Sequence, residues 1–173
     1  MKQPVAYCLI LFCGVWAATA QTNPPARPTQ PTQLVTKIGE CESRLGGVEV
    51  VVSGVVEQGK LTIRIQCRLN QVDTACEVAP TNTLALAQLI ESVSTDLRNG
   101  KQSDGRCNNI EVSAFVLEQE KFVEILFHHG DPVAGESVCR LWLDTYNALS
   151  LSHLIASGKA VADWLQPRLS ALQ

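Results

Sequence analysis

Apolar and polar residues alternate over several short stretches of the chain, a pattern that predicts strands with one buried and one solvent-facing side. In the first half, the predicted strands cover 48–52, 61–69 and the residues around Cys76 and Val78. In the second half, they cover 110–116, 123–127 and 139–143. Trp142 alternates with its apolar neighbours, so we expect it to point away from the main core.

Three further stretches place apolar residues at helical spacing. The first predicts a short helix that Gly46-Gly47 would end, because intervals of four, three and four separate Leu34, Ile38, Cys41 and Leu45. A second helix is expected to begin behind the N-cap Asn82 and to end at Asn99-Gly100. A third is expected to end near Pro167. The predicted order is therefore α-βββ-α-βββ-α.

The two halves of the chain also repeat each other. Residues 55–60 recur as 116–121, and Cys76 recurs as Cys139. The sequence offset between matching residues grows from 61 (118 − 57, Glu57 to Glu118) to 65 (154 − 89, Leu89 to Leu154). Small loop insertions in one copy would produce this increase. We therefore expect a duplicated βββα unit over 48–100 and 108–167, within a single domain at 34–173.

Each three-stranded unit has one apolar face and one helix to cover it. This favours an α+β fold, a two-layer sandwich in which an antiparallel sheet is covered by helices. The element order resembles that of the small α+β chaperones of bacterial type III secretion. This resemblance covers element order alone. It implies a dimer that binds a segment of a partner protein, and it gives no residue a role.

The first 33 residues carry export and spacer signals. Residues 1–20 combine one lysine, an apolar run and Ala18-Thr19-Ala20, which has the form of a signal-peptidase site. Cleavage of this signal predicts a secreted or periplasmic protein without a membrane span. Residues 21–33 contain four prolines and no large apolar residue, which predicts a flexible tether. The cleaved chain has 13 basic and 17 acidic residues, a net charge of 13 − 17 = −4, which disfavours nucleic acid as a partner.

Five cysteines remain after cleavage, and an exported chain favours disulfides. Cys67 and Cys76 end one strand and begin the next, so they are candidates for a bridge across a hairpin. Cys41 and Cys107 each precede the first strand of their copy, so they are candidates for a bridge between copies. Cys139 then stays unpaired: it is buried as an apolar residue, forms an intermolecular disulfide, or acts as a catalytic thiolate.

Sequence motifs of catalysis and metal binding are absent. The chain has no Gly-rich phosphate loop, Gly-x-Ser-x-Gly, His-Glu-x-x-His or Cys-x-x-Cys. His128 and His129 are adjacent on a predicted strand, so they point to opposite faces, and a turn at Gly130-Asp131-Pro132 follows. We therefore expect no catalytic residue, metal or cofactor. The candidate partner surface consists of Arg64, Arg68, His128 and Trp142.

The sequence favours an exported, non-enzymatic module that binds another protein, such as an inhibitor, an immunity factor or a secretion accessory. The binding partner can also be a second copy of the chain, in a homodimer. Two alternatives stay open. One is a thiol- or metal-dependent enzyme that uses Cys139 or His128. The other is a carrier of a small apolar ligand, for which Ala114, Ala148 and Gly158 would leave room. We expect any site to lie where the two copies differ.

Overall fold

The computed structural model of the protein describes residues 33–43, 47–69, 72–129 and 137–169. The predicted signal at 1–20, the predicted tether at 21–33 except for its last residue, and the predicted turn at 130–132 lie outside the described residues. Among the helices that are described, none is long and apolar enough to cross a membrane.

Two antiparallel four-stranded sheets and two helices make up the described chain. The first sheet has the order β1-β2-β3-β4, at Gln33–Ser43, Val48–Glu57, Lys60–Leu69 and Val72–Val78. A 3-10 turn at Pro80–Asn82 leads into helix α1, Thr83–Arg98. The second sheet has the order β5-β6-β7-β8, at Asp104–Cys107, Ile110–Leu117, Glu120–His129 and Ser137–Asp144. Helix α2 follows at Thr145–Leu169 and runs past Pro167. The α+β class is confirmed, with two sheets where one was expected.

The predicted helix over 34–45 is wrong, because its described part, 34–43, belongs to strand β1. In a regular strand Leu34 and Cys41, seven residues apart, would face opposite sides. The register shifts between Lys37 and Gly39, which makes Ile38 an extra residue in a β-bulge. The bulge brings Leu34 and Cys41 to the same face of the strand. On a helix, a spacing of seven residues would also place them on one face.

Strand β5 has no counterpart among the predicted elements. It is four residues long and polar, and it shows no apolar alternation. It forms because its backbone pairs with β6, from Asp104 opposite Ser113 to Cys107 opposite Ile110. With β1 and β5 in place, the described order is ββββ-α-ββββ-α. This differs from the order on which the resemblance to secretion chaperones rests.

The two sheets have the same central hairpin. The turn between β2 and β3 has positive φ at Gln58 (49°) and Gly59 (75°), and the turn between β6 and β7 has positive φ at Glu118 (50°) and Gln119 (72°). Two successive residues with positive φ characterise the type I′ turn, whose twist suits a two-residue hairpin. The arrangement of the two halves is therefore repeat-like, with an offset of 60 (118 − 58) at the hairpin.

The strand register changes the residue match between the two halves. Cys76 is equivalent to Leu141, because these two residues pair with equivalent isoleucines on β3 and β7. Cys139 lies two residues before Leu141 and is equivalent to Thr74. The predicted recurrence of Cys76 as Cys139 is therefore wrong, and the predicted hairpin offset of 61 is one residue too long.

Each helix packs mainly on the sheet of the other half. Helix α2 lies on β1, β2 and β3, whereas α1 lies on β5, β6 and β7, and the two helices pack against each other. Glycines on the two edge strands permit this approach: a Cβ atom at Gly39 would collide with Leu154, and one at Gly105 would collide with Leu89. Buried residues of both sheets and both helices form one core cluster. The exchange of helices therefore joins the two halves into one packed unit.

Candidate functional site

Four cysteines gather where the second sheet meets the first. Cys41, Cys67 and Thr74 lie in one row across the inner face of the first sheet, and Cys76 lies on the same face two residues further along β4. Cys139 of β8 reaches this row, and its thiol shares a hydrogen bond with the thiol of Cys67. All four pack in or against the same core cluster. The thiol cluster, as we call these four cysteines, thus joins the two sheets.

Strand β8 passes across one end of the first sheet. Near its start, Cys139 contacts Cys67 of β3 and Thr74 of β4. Three residues later, the backbone carbonyl of Trp142 accepts a hydrogen bond from the Ser43 hydroxyl at the end of β1. The alternation along β8 turns Cys139 inward and the side chain of Trp142 outward. These contacts fix the position of Cys139 against the first sheet.

The thiols of the cluster differ in acidity. The hydrogen bond with Cys67 lowers the pKa of Cys139 in spite of partial burial, and a hydrogen bond with Thr74 lowers it further. The same thiol–thiol hydrogen bond raises the pKa of Cys67, and burial raises it further. Burial raises the pKa of Cys41 and that of Cys76 to about 11. Cys139 is therefore the member of the cluster that forms a thiolate most readily.

Alkylation is expected to modify Cys139 before the other members of the thiol cluster. The thiolate is the reactive form, and the lowered pKa gives Cys139 a larger thiolate fraction at pH 7 than Cys41 or Cys76. The five cysteines of the cleaved chain fall in five different tryptic peptides, so mass spectrometry after brief exposure to iodoacetamide gives their order. Faster labelling of Cys76 than of Cys139 would contradict the assignment.

The fifth cysteine lies elsewhere. The thiol of Cys107 is 4.0 Å from the carbonyl oxygen of Asn82, at the start of α1, and burial raises its pKa. All five cysteines of the described chain are free thiols, so neither candidate bridge, between Cys67 and Cys76 or between Cys41 and Cys107, is formed in the structure. Cys67 and Cys76 are diagonal neighbours on one face of the first sheet.

Two candidates for the partner surface, Arg64 and Arg68, lie on the outer face of the first sheet. A guanidinium nitrogen of Arg64 donates a hydrogen bond of 2.8 Å to Glu77. Arg68 lies 3.7 Å from Glu49 and 3.7 Å from Asp73. Because acidic neighbours balance both charges, this face is a mixed-charge surface and not a basic patch.

The other two candidates, His128 and Trp142, lie on the outer face of the second sheet, so the structure does not bring the four together. His128 Nε2 is 3.4 Å from a carboxylate oxygen of Glu111. The indole nitrogen of Trp142 donates a hydrogen bond of 2.8 Å to Glu124. Within the described ranges, no group of three or more His, Cys, Asp or Glu residues is placed to hold a metal ion.

Trp142 belongs to an aromatic cluster whose other members the sequence analysis does not assign. The ring centroid of Phe115 lies 5.4 Å from that of Trp142 and 5.5 Å from that of Phe122. The equivalent positions of Phe115 and Phe122 on the first sheet hold Val55 and Thr62, so the cluster is specific to the second half. Its signal in the sequence is the break of alternation at 114–117, where four apolar residues follow one another.

The strand edge beside this aromatic cluster is open. Strand β1 pairs with β2 along its whole length, whereas β5 pairs with β6 only from Ile110 to Ser113. The next bond on this side runs from the Ala114 N–H to the carbonyl of Ser103. In the part of the chain that the structure describes, no strand pairs with residues 115–117 on this side. Val116 and Leu117 are each 47% exposed.

The shortness of β5 and of α1 explains this open edge. Helix α1 ends at Arg98, and Gly100 with φ of 78° turns the chain directly into β5 at Asp104, so few residues remain to extend the strand. In the first half, Leu165 and Leu169 near the end of the longer α2 cover Val56, the equivalent of Val116. The apolar end of β6 thus lacks both the edge strand and the helix that cover the end of β2.

No protein-family model matches this chain, and no curated protein matches it. Two local features of the structure therefore carry what we infer about function. One is the open half of β6 together with the aromatic cluster beside it. The other is the thiol cluster between the two sheets.

Proposed function

We propose that this protein is an exported, non-enzymatic module that binds an extended segment of another protein as an added strand beside residues 115–117 of β6. The observation that carries the proposal is the short β5, which leaves these residues as an open edge with exposed apolar side chains. In strand addition, backbone hydrogen bonds supply affinity and alternate side chains supply specificity. Export follows from the signal sequence expected at 1–20.

The backbone of β6 favours an added strand at Val116. The N–H group of Ala114 points toward the β5 side, where it reaches Ser103. Alternate residues of a strand direct their backbone groups to the same side, so Val116 offers an N–H donor and a carbonyl acceptor there. Phe115 and Leu117 direct their backbone groups toward β7. A bound segment would continue the sheet from the point at which β5 stops.

The surrounding side chains favour a segment of particular chemistry. Residues of an added strand opposite Phe115 and Leu117 would lie on the outer face beside the aromatic cluster, which favours apolar side chains at alternate positions. Two acidic residues, Glu118 and Glu120, and one basic residue, Lys121, lie at the turn after β6. This excess of negative charge favours a basic residue at one end of the bound segment. An open cleft of about 760 Å³, lined by residues 102–106 and 111–114, ends at Ala114, directly before the open residues 115–117.

In this proposal the two halves are copies of a duplicated unit with different tasks. The shared hairpin geometry at Gln58-Gly59 and Glu118-Gln119 supports a common origin. The first copy is closed along its edge by β1 and at its end by α2, and it serves as scaffold. The second copy presents its open edge to the partner. The homodimer is the competing occupant, since two open β6 edges could also pair with each other.

Val116→Pro is expected to weaken peptide binding at least about tenfold, the effect of losing roughly 1.4 kcal/mol. Proline removes the outward N–H of Val116 but no bond to β7, and an edge strand tolerates it. Linear peptides would be selected from a random displayed library on the cleaved chain, and their affinities measured by fluorescence anisotropy. Val116→Ala is the matched control, since it shortens the side chain and keeps the N–H.

Three outcomes decide the proposal. Stronger loss of binding in Val116→Pro than in Val116→Ala, together with slower amide exchange of Val116 when peptide is present, supports strand addition. Equal binding by wild type and Val116→Pro would contradict it, as would a library that yields no binding peptide. Concentration-dependent self-association that Val116→Pro abolishes would identify a second copy of the chain as the occupant, which contradicts the proposed partner.

A further inference from the structure

The contact between Cys67 and Cys139 lies where the two sheets meet, and it is separate from the open edge of β6. We propose that Cys67 and Cys139 are a redox pair that forms a disulfide tying β3 of the first sheet to β8 of the second. Neither candidate bridge from the sequence analysis contains this pair, because that analysis left Cys139 without a partner within the chain. The inference does not depend on the proposed partner segment.

Side-chain placement supports closure of this pair. The thiols of Cys67 and Cys139 contact each other where β8 crosses the row of Cys67 and Thr74, close to the hydrogen bond from Ser43 to the Trp142 carbonyl. Disulfide formation requires the two sulfur atoms to approach to about 2.05 Å. Cys67 is buried, whereas Cys139 is only partly buried, so a small oxidant has access to one sulfur of the pair.

The order of the two thiols in the reaction follows from their surroundings. Cys139 is the more exposed of the two thiols, and hydrogen bonds with Cys67 and Thr74 lower its pKa, so it is the first nucleophile. Cys67 holds its proton more strongly and lies against Cys139, so it is placed to attack second. Cys76 is on the same face as Cys67 and is the competing thiol, but it does not share the hydrogen bond that aligns Cys67 with Cys139.

The reaction balances with a low-molecular-weight disulfide as oxidant. The Cys139 thiolate attacks one sulfur of that disulfide, forms a mixed disulfide and releases one thiolate, which takes up a proton. Cys67 then loses its proton, attacks the sulfur of Cys139 and releases the second thiolate, which is also protonated. In total the protein pair loses two electrons and two protons, and the oxidant is reduced to two thiols.

The bridge would constrain a long stretch of chain. It closes a loop of 72 residues (139 − 67) and links two sheets that otherwise meet through packing and hydrogen bonds. Loops of this length restrict the unfolded chain strongly, so oxidation is expected to raise Tm by roughly 5–15 °C. The same bond would hold β8 against the first sheet and thereby stiffen the sheet that carries the open edge.

The test uses the cleaved chain treated with oxidised glutathione, with a sample in dithiothreitol as reference. Alkylation followed by trypsin separates the relevant cysteines into peptides 65–68, 69–98 and 122–140. We expect an intact mass lower by two hydrogen atoms and a cross-linked species of 65–68 with 122–140. A cross-link of 65–68 with 69–98, or five alkylated thiols after oxidation, would overturn the proposal.

Serine variants assign the roles of the individual thiols. Cys76→Ser should keep both the cross-link and the rise in Tm, whereas Cys139→Ser should lose both. Cys67→Ser should accumulate a glutathione adduct on Cys139, because the second nucleophile is missing; an adduct-free Cys139 in this variant would contradict the proposed order. If a variant fails to fold, the peptide map of the wild-type chain still decides whether this pair forms.

Discussion

Replacing Phe127 with alanine is expected to lower the free energy of unfolding by about 3–5 kcal/mol. Phe127 is 1% exposed and is among the largest fully buried side chains. It lies on the inner face of β7 between Ile110 of β6 and Cys139 of β8. Because hydrogen-bonded strands flank it on both sides, the structure can collapse only partly into the cavity. Urea denaturation with a two-state fit measures the loss.

Phe115→Ala is the matched control for this prediction. It removes the same side chain from the same sheet, but on the outer face, where the ring is partly exposed and contacts Phe122 and Trp142. We expect the free energy of unfolding to fall by about 1 kcal/mol, because the variant loses the aromatic contacts and part of the apolar burial. Equal losses for the two variants would contradict the assignment of inner and outer faces to the second sheet.

Gly158→Val is expected to destabilise the fold by about 1–3 kcal/mol through overpacking. Gly158 lies where α2 crosses the first sheet, and a Cβ atom added there would be 3.1 Å from Cγ1 of Ile63. Valine adds two further methyl groups at this contact, so α2 must move away from β3. The midpoint of thermal or urea unfolding reports the effect. Ile63 thus fills the space beside Gly158 that an apolar ligand would need.

Two comparisons isolate the contact between helix and sheet. Ser157→Val introduces the same side chain at the neighbouring position of α2, and its effect should stay within about 1 kcal/mol because this position is exposed. Ile63→Ala should reduce the cost of Gly158→Val, since it removes the atoms that collide with the new side chain. Strictly additive effects of the two substitutions would count against the packing of α2 on the sheet of the other half.

Strand alternation predicted most of the fold because period-two patterning reports directly which face of a strand is buried. Six of the eight described strands and both helices follow from periodicity. Strand β1 did not follow, since the bulge at Ile38 gives a strand the apolar spacing of a helix. Strand β5 did not follow either, because backbone pairing with β6 creates it and its own residues carry no pattern.

The candidate site was less accessible from the sequence, because both of its features depend on contacts between distant parts of the chain. The pairing of Cys139 with Cys67 requires β8 to cross the end of the first sheet, which no local pattern encodes. An alignment of the two halves by identical residues makes Cys139 equivalent to Cys76, whereas the strand register makes it equivalent to Thr74. The open end of β6 depends on where β5 stops, and therefore on an element that periodicity does not predict.

The exchanged helices have a kinetic consequence. Each helix finds its main sheet in the other half, so many of the core contacts join residues far apart in sequence, and the contact order of the chain is raised. Neither half can complete a core early. The entropy of loop closure is lost before the stabilising contacts between helix and sheet form. We therefore expect slow folding with a late transition state, in which α1 and α2 dock together and not one after the other.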